Sequence, residues 1–125
     1  MTIDIKVLVV DDDEPVRNSL VNFLEDEGFE PVSAESGEQA LDLAAKEHFD
    51  VAIVDMRLPG IDGDTVVLEA KKIQSHLKFI IYTGSDDYYP QNILIDIGMK
   101  PEHVFYKPLR NLDVLSQAIR SLMAE

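Results

Sequence analysis

The chain has 125 residues, 46% of them apolar, which is enough for one domain around one core and too few for two. Its formal charge of −13 repels polyanions, so composition gives no support to direct nucleic-acid or anionic-membrane binding and favours cations as partners. With no cysteine, no apolar run near the ~18 residues of a membrane span and no basic-then-apolar start, disulfide and thiolate-zinc chemistry are excluded and a reducing cytoplasm is expected.

In chain order, Val7 to Val10 is the first predicted strand, and Val16, Leu20, Phe23 and Leu24 then form one helical stripe that Gly28 ends with a left-handed cap. Pro31 to Ala34 is a weaker strand, placed at a sheet edge because proline cannot donate to a ladder. Ser36 and Gln39 have capping-box spacing ahead of a helix through Ala40, Leu41, Ala44 and Ala45. Val51 to Val54 follows as the third strand, and Val66, Ala70 and Ile73 mark the third helix. Phe79 to Tyr82 is the fourth strand, and a short helix is expected after Pro90, ending at Gly98, with Asp86 and Asp87 capping it and Tyr88 and Tyr89 packed half-buried beside it in preference to forming a partner-binding patch. Val104 to Tyr106 is the last strand, and Leu112, Leu115, Ile119 and Leu122 mark the last helix. The main strands are continuous apolar runs rather than alternating ones, as in a parallel sheet buried on both faces. Five alternations of strand and helix predict one doubly wound α/β domain over residues 1–125.

The polar residues that follow each strand carry the functional signal. Asp11, Asp12, Asp13 and Glu14 follow the first strand, Asp55 the third, Thr83 the fourth, and Lys107 with Pro108 the fifth. In an open parallel sheet these positions share the carboxyl edge, where ligands bind. Each has a plain alternative reading: an acidic run caps a helix that Pro15 begins, Asp55 leads into the turn Leu58-Pro59-Gly60, and Thr83-Gly84 is an ordinary loop. Their conjunction favours one site. Clustered carboxylates repel unless a cation neutralises them, and a hard ion with oxygen ligands, Mg²⁺ foremost, would leave Asp55 ionised and nucleophilic. Lys107 adds positive charge for transferring oxygens, and Thr83 offers a hydroxyl donor once a phosphoryl group arrives. His48, His76 and His103 have no ligand spacing and are expected at the surface or at helix ends.

Together, Val9-Val10-Asp11-Asp12-Asp13, Asp55-Met56-Arg57-Leu58-Pro59-Gly60-Ile61-Asp62-Gly63, Tyr82-Thr83-Gly84 and Tyr106-Lys107-Pro108-Leu109 resemble the receiver domain of bacterial two-component response regulators, across essentially the whole chain. The resemblance implies a flavodoxin-like five-stranded parallel sheet in the order 2-1-3-4-5, flanked by five helices. It implies phosphorylation of Asp55 by a histidine kinase, a phosphotransfer protein or small phosphodonors, and a switch in shape that controls a downstream protein or output domain. Mg²⁺, or Mn²⁺, would be held by Asp12, Asp55 and the Met56 carbonyl, with Asp11 assisting through water. Thr83 and Lys107 would contact the phosphoryl group, and the Lys107-Pro108 bond would be cis. Such a domain is not an enzyme beyond its own phosphoryl transfer and slow self-dephosphorylation, and phosphorylation-dependent homodimers through the helix after Pro90, the fifth strand and the last helix are within its repertoire.

Three features depart from the family pattern: Val104 stands where an aromatic residue is usual, Gly84 where alanine is common, and Lys100, Pro101 and Glu102 lengthen the segment before Lys107. Alternation puts Phe105 on the face opposite Val104 and Tyr106 on the same face. Arg57 has two readings, a solvated loop charge or a side chain that overhangs the phosphoryl group and slows water attack. The competing functions are a docking module without phosphorylation and a haloacid-dehalogenase-like phosphatase, which would want an acid where Arg57 stands. Flavin binding is disfavoured because the acidic run after the first strand would repel the cofactor's phosphate.

Overall fold

The computed structural model describes residues 4–84, 95 and 99–124. Five strands, β1 (Lys6–Val10), β2 (Glu30–Ala34), β3 (Val51–Val54), β4 (Lys78–Thr83) and β5 (Val104–Tyr106), form one sheet in the order β2-β1-β3-β4-β5. Every pairing is parallel. Pro31 lies on β2, which among the described residues pairs with β1 alone, so its missing N–H is tolerated at the edge.

Alternation along the strands divides the core between two faces. Leu8 and Val10 of β1, Ala52 and Val54 of β3, Phe79 and Ile81 of β4 and Val104 of β5 pack on one side. They meet Ala40 of α2 (Gly37–Lys46) and Val66, Val67 and Ala70 of α3 (Gly63–Ile73). Val7, Val9, Val51, Ile53, Ile80 and Tyr82 face the other side, against Leu20 and Leu24 of α1 (Glu14–Asp26) and Leu115, Ile119 and Leu122 of α4 (Asp113–Met123). Both faces are covered, which is why the strands read as unbroken apolar runs.

Four helices lie among the described residues rather than the expected five; the helix expected after Pro90, with Asp86, Asp87, Tyr88 and Tyr89, falls outside them. Val66, Ala70 and Ile73 all lie in α3 as expected; its buried stripe runs through Val66, Val67 and Ala70, while Ile73, the last helical residue, is 46% exposed. The extra residues before Lys107 form a single 3-10 turn, Pro101–His103.

The helix starts follow local chemistry. The Asp13 carboxylate accepts from the Val16 N–H at 3.3 Å, and Asp62 accepts from Thr65 at 2.9 Å. Ser36 Oγ accepts from the Gln39 N–H at 3.1 Å, but Gln39 Oε1 reaches back to the Glu35 N–H, at 2.7 Å, one residue before the capping-box position. After α1, Gly28 has φ 89°, the left-handed geometry its sequence position predicts.

Candidate functional site

The carboxyl ends of β1, β3, β4 and β5 deliver the predicted polar residues. Asp11 directly follows β1 and is 2% exposed; Asp55 directly follows β3 and is 6% exposed; Asp12 beside them is exposed. One carboxylate oxygen from each of Asp11, Asp12 and Asp55 lies within 4.8 Å of the others. Two adjacent parallel strands impose this closeness: the Asp55 N–H continues the ladder by donating to the Val10 carbonyl at 3.0 Å. Asp13, the third acid of the run, is used otherwise, as the cap of α1, and its N–H donates to Asp11 Oδ1 at 2.9 Å.

Lys107 arrives from the far side of the sheet. Its Nζ donates to Asp11 Oδ2 at 2.6 Å and to Asp55 Oδ2 at 3.3 Å, across 96 and 52 positions of sequence. A ladder bond holds Lys107 there. Its N–H donates to the Thr83 carbonyl at 2.8 Å, extending the β4–β5 ladder, and the Lys107-Pro108 peptide is cis, as the family resemblance implied. Its ammonium also stands 5.5 Å from the Tyr82 ring centroid, over a π face that favours a cation. Thr83 is fully buried at the end of β4, one residue past Tyr82.

Burial pushes the Asp11 carboxyl above its ordinary range, with the Asp55 charge acting the same way, against the opposing pull of Lys107 and the Asp13 N–H. For Lys107 burial acts to lower the pKa, but the Asp11 hydrogen bond and charge, followed by Asp55, outweigh it and raise the group, so it stays cationic. One ammonium thus faces an excess of carboxylates.

The donor set fits a hard divalent cation. Three carboxylates and a nearby backbone carbonyl, that of Met56, offer oxygen alone. The Met56 carbonyl accepts from the Gly63 N–H at 3.2 Å, which uses one lone pair and leaves the second. That contact needs glycine: a Cβ on Gly63 would lie 2.6 Å from the Asp55 carbonyl oxygen. The loop between Asp55 and α3 is therefore drawn tight against the site, and the Arg57 N–H donates to Asp55 Oδ1 at 3.2 Å.

All the predicted site residues reach this edge, while two features escaped the sequence. Arg17, on the first turn of α1, donates from its guanidinium to the Asp11 carbonyl at 2.8 Å and pins the acidic loop; its position four residues after the Asp13 cap was the available signal. His48 and His76 pair at the opposite edge, for which no local spacing exists. Of the departures, Val104 and Phe105 do pack on opposite faces, and Tyr106 is 38% exposed. A Cβ on Gly84 would meet no atom of the described residues within 4 Å.

The chain is similar in sequence and fold to known proteins. Sporulation initiation phosphotransferase F of Bacillus subtilis is 37% identical over 79 residues, 63% of this chain and 64% of that protein. The chain spans between 28% and 64% of the length of the first four curated relatives it matches. Response regulator protein TrrA of Thermotoga maritima, solved in complex with Mg²⁺-BeF, superposes with a TM-score of 0.80 at 30% identity, covering 94% of this chain and 98% of that one. A CheY-like receiver domain protein of Methanospirillum hungatei superposes with a TM-score of 0.83 at 26% identity, covering 98% and 96%. The response regulator receiver domain model matches residues 7–120, from β1 into α4 and across every residue of the carboxyl-edge cluster, and the chain therefore belongs to the response regulator receiver domain family.

Proposed function

We propose that Asp55 is the phosphoacceptor of a two-component signalling step, taking a phosphoryl group from a histidine kinase, a phosphotransfer protein or a small phosphodonor. The single observation that carries this reading is the Lys107 bridge between Asp11 and Asp55, set among three carboxylates that share one oxygen-only pocket. A carboxylate oxygen of Asp55 attacks phosphorus, the bond from phosphorus to the donor's leaving nitrogen or oxygen breaks, and the leaving group departs with the electron pair. Lys107 is already within reach of Asp55 and moves its hydrogen bond to a phosphoryl oxygen as that oxygen gains charge. Thr83, at the end of the neighbouring strand, offers its hydroxyl to another phosphoryl oxygen. Asp12, Asp55 and the Met56 carbonyl hold Mg²⁺, with Asp11 assisting; Mn²⁺ suits the same donors. When bound, the ion neutralises the carboxylate excess and draws charge from the transferring oxygens.

The contact between Thr83 and the phosphoryl group exists only after transfer, so it biases the β4 end toward a second conformation and thereby acts on an output domain or partner protein. Val104, where an aromatic partner is usual, makes the coupling depend on other side chains of the β4–β5 edge. A cytoplasmic location, and a phosphorylation-dependent homodimer through β5 and α4, belong to the same reading.

Incubation with acetyl phosphate and Mg²⁺, followed by intact mass and hydroxylamine treatment, tests it. A stable, hydroxylamine-labile adduct on Asp55 is expected. Rapid turnover of a phosphate ester would instead identify a phosphatase, and no adduct at all a docking module.

A further inference from the structure

The amino-terminal edge of the sheet, the end remote from Asp55, carries a cluster that phosphoryl transfer does not use. His48 lies just before β3 and His76 just before β4, and because those strands are neighbours the two imidazoles meet although they are 28 residues apart. His76 Nε2 is 2.9 Å from His48 Nδ1, and the rings lie 4.6 Å apart at 18°. The other nitrogen of His48, Nε2, is 3.1 Å from Asp50 Oδ1.

These contacts set the protonation pattern. A carboxylate oxygen only accepts, so His48 Nε2 carries the proton and donates to Asp50, which leaves Nδ1 as a lone pair. The proton between the rings therefore belongs to His76 Nε2. Asp50 is itself immobilised: its second oxygen accepts from the Lys6 N–H at 2.9 Å, its own N–H donates to the Lys6 carbonyl at 2.9 Å, and its carbonyl accepts from Lys78 at 3.2 Å. A histidine whose remote nitrogen is held by a fixed carboxylate is oriented in the way metal-ligating imidazoles are. The spacing fits as well: two nitrogens bound cis to one ion at about 2.0–2.1 Å, with a right angle between them, lie about 2.9 Å apart.

We propose that His48 Nδ1 and His76 Nε2 form a second metal site, for a divalent ion that prefers imidazole, such as Cu²⁺, Ni²⁺ or Zn²⁺, distinct in place and in ligand chemistry from the oxygen-only pocket at Asp55. The ion replaces the proton between the two rings, and that proton moves to His76 Nδ1, so both ligands are neutral imidazoles. His76 is exposed and has room to tilt its ring until its lone pair and that of His48 converge, while Asp50 keeps His48 still. Water completes the open coordination positions. Hard Mg²⁺ has no preference for such nitrogens, so the two sites sort their ions by ligand type.

The test is a Cu²⁺ titration of the full chain with saturating Mg²⁺ present to occupy the acidic pocket, read by calorimetry and by electron paramagnetic resonance. One Cu²⁺ per chain, with nitrogen hyperfine structure, is expected. H48Q and H76Q should each weaken binding by more than about tenfold, and D50N by about tenfold, while D55N leaves it unchanged. Both histidines are exposed, so the glutamine variants should keep the far-ultraviolet dichroism of the parent. Undiminished Cu²⁺ binding in either glutamine variant, or no nitrogen-coordinated Cu²⁺ in the parent, would overturn the proposal.

Discussion

At the carboxyl edge of the sheet, two nearly buried carboxylates share the Lys107 ammonium with a third carboxylate close by; at the amino edge, Gln74 is paired in a balanced set. Gln74 illustrates the second arrangement. Its Oε1 accepts from the Phe49 N–H at 3.0 Å, and its Nε2 donates to the carbonyls of Ala44 and Glu47 at 2.7 and 2.6 Å, closing the end of α2 onto the end of α3. Gln74 has what it needs inside the chain, so its bonds contribute stability. The carboxyl edge lacks balance without an added cation, and its excess charge is what fits it to bind one.

Substitutions at the two edges should therefore part activity from stability. The largest effect belongs to D55N, which is expected to abolish the hydroxylamine-labile adduct formed with acetyl phosphate while leaving the dichroism spectrum intact. An adduct that persists on the variant would show that another residue is the acceptor. Next is Gln74→Leu, which leaves the Phe49 N–H and two carbonyls without their partner and should cost about 3–5 kcal/mol in urea unfolding, with Asp55 phosphorylation retained wherever the variant is folded. A loss below about 1 kcal/mol would mean that water takes over these bonds and that the contrast between the edges is weaker than the distances suggest.

Cation binding sharpens the comparison further. Mg²⁺ at about 100 times its dissociation constant should raise stability by about 2.7 kcal/mol in thermal unfolding, and Asp12→Ala should remove most of that gain. The sign of the pH effect at Asp11 follows from its raised pKa. Its contribution to folding is fully present below the ordinary carboxylate pKa and is lost as pH rises through the folded value. Without metal, D11N and the parent should thus have equal stability in acid, with the variant ahead by about 1 kcal/mol at neutral pH. A variant that loses stability at neutral pH would show that the Lys107 bond outweighs the burial of Asp11. The smallest change expected is Ile73→Ser, within about 0.5 kcal/mol in the same assay, because that side chain sits at a helix end and is 46% exposed.

How much of this was legible in sequence varied with how local the cause is. The strand runs Val51 to Val54 and Val104 to Tyr106 were read to the residue, because β-branched apolar runs between turn residues have few alternatives. Ile73 marked the end of α3 but lies off its buried stripe, since periodicity alone does not say where the packed surface beneath a helix ends. The acidic run after the first strand fitted both a helix cap and a metal site, and only the distance to Val16 shows that Asp13 is the capping member. The family resemblance, rather than any local pattern, supplied the order of the strands and the cis peptide before Pro108.

The sequence by itself determined which segments become strands and helices and which charged residues end each strand, since both depend on neighbours a few positions away. Tertiary structure alone decided that Lys107 bonds Asp11 more closely than Asp55, that Arg17 secures the acidic loop, and that His48 meets His76. The physical reason is strand adjacency: lateral pairing in a parallel sheet joins residues tens of positions apart, and no periodicity along the chain encodes which edge position will face which.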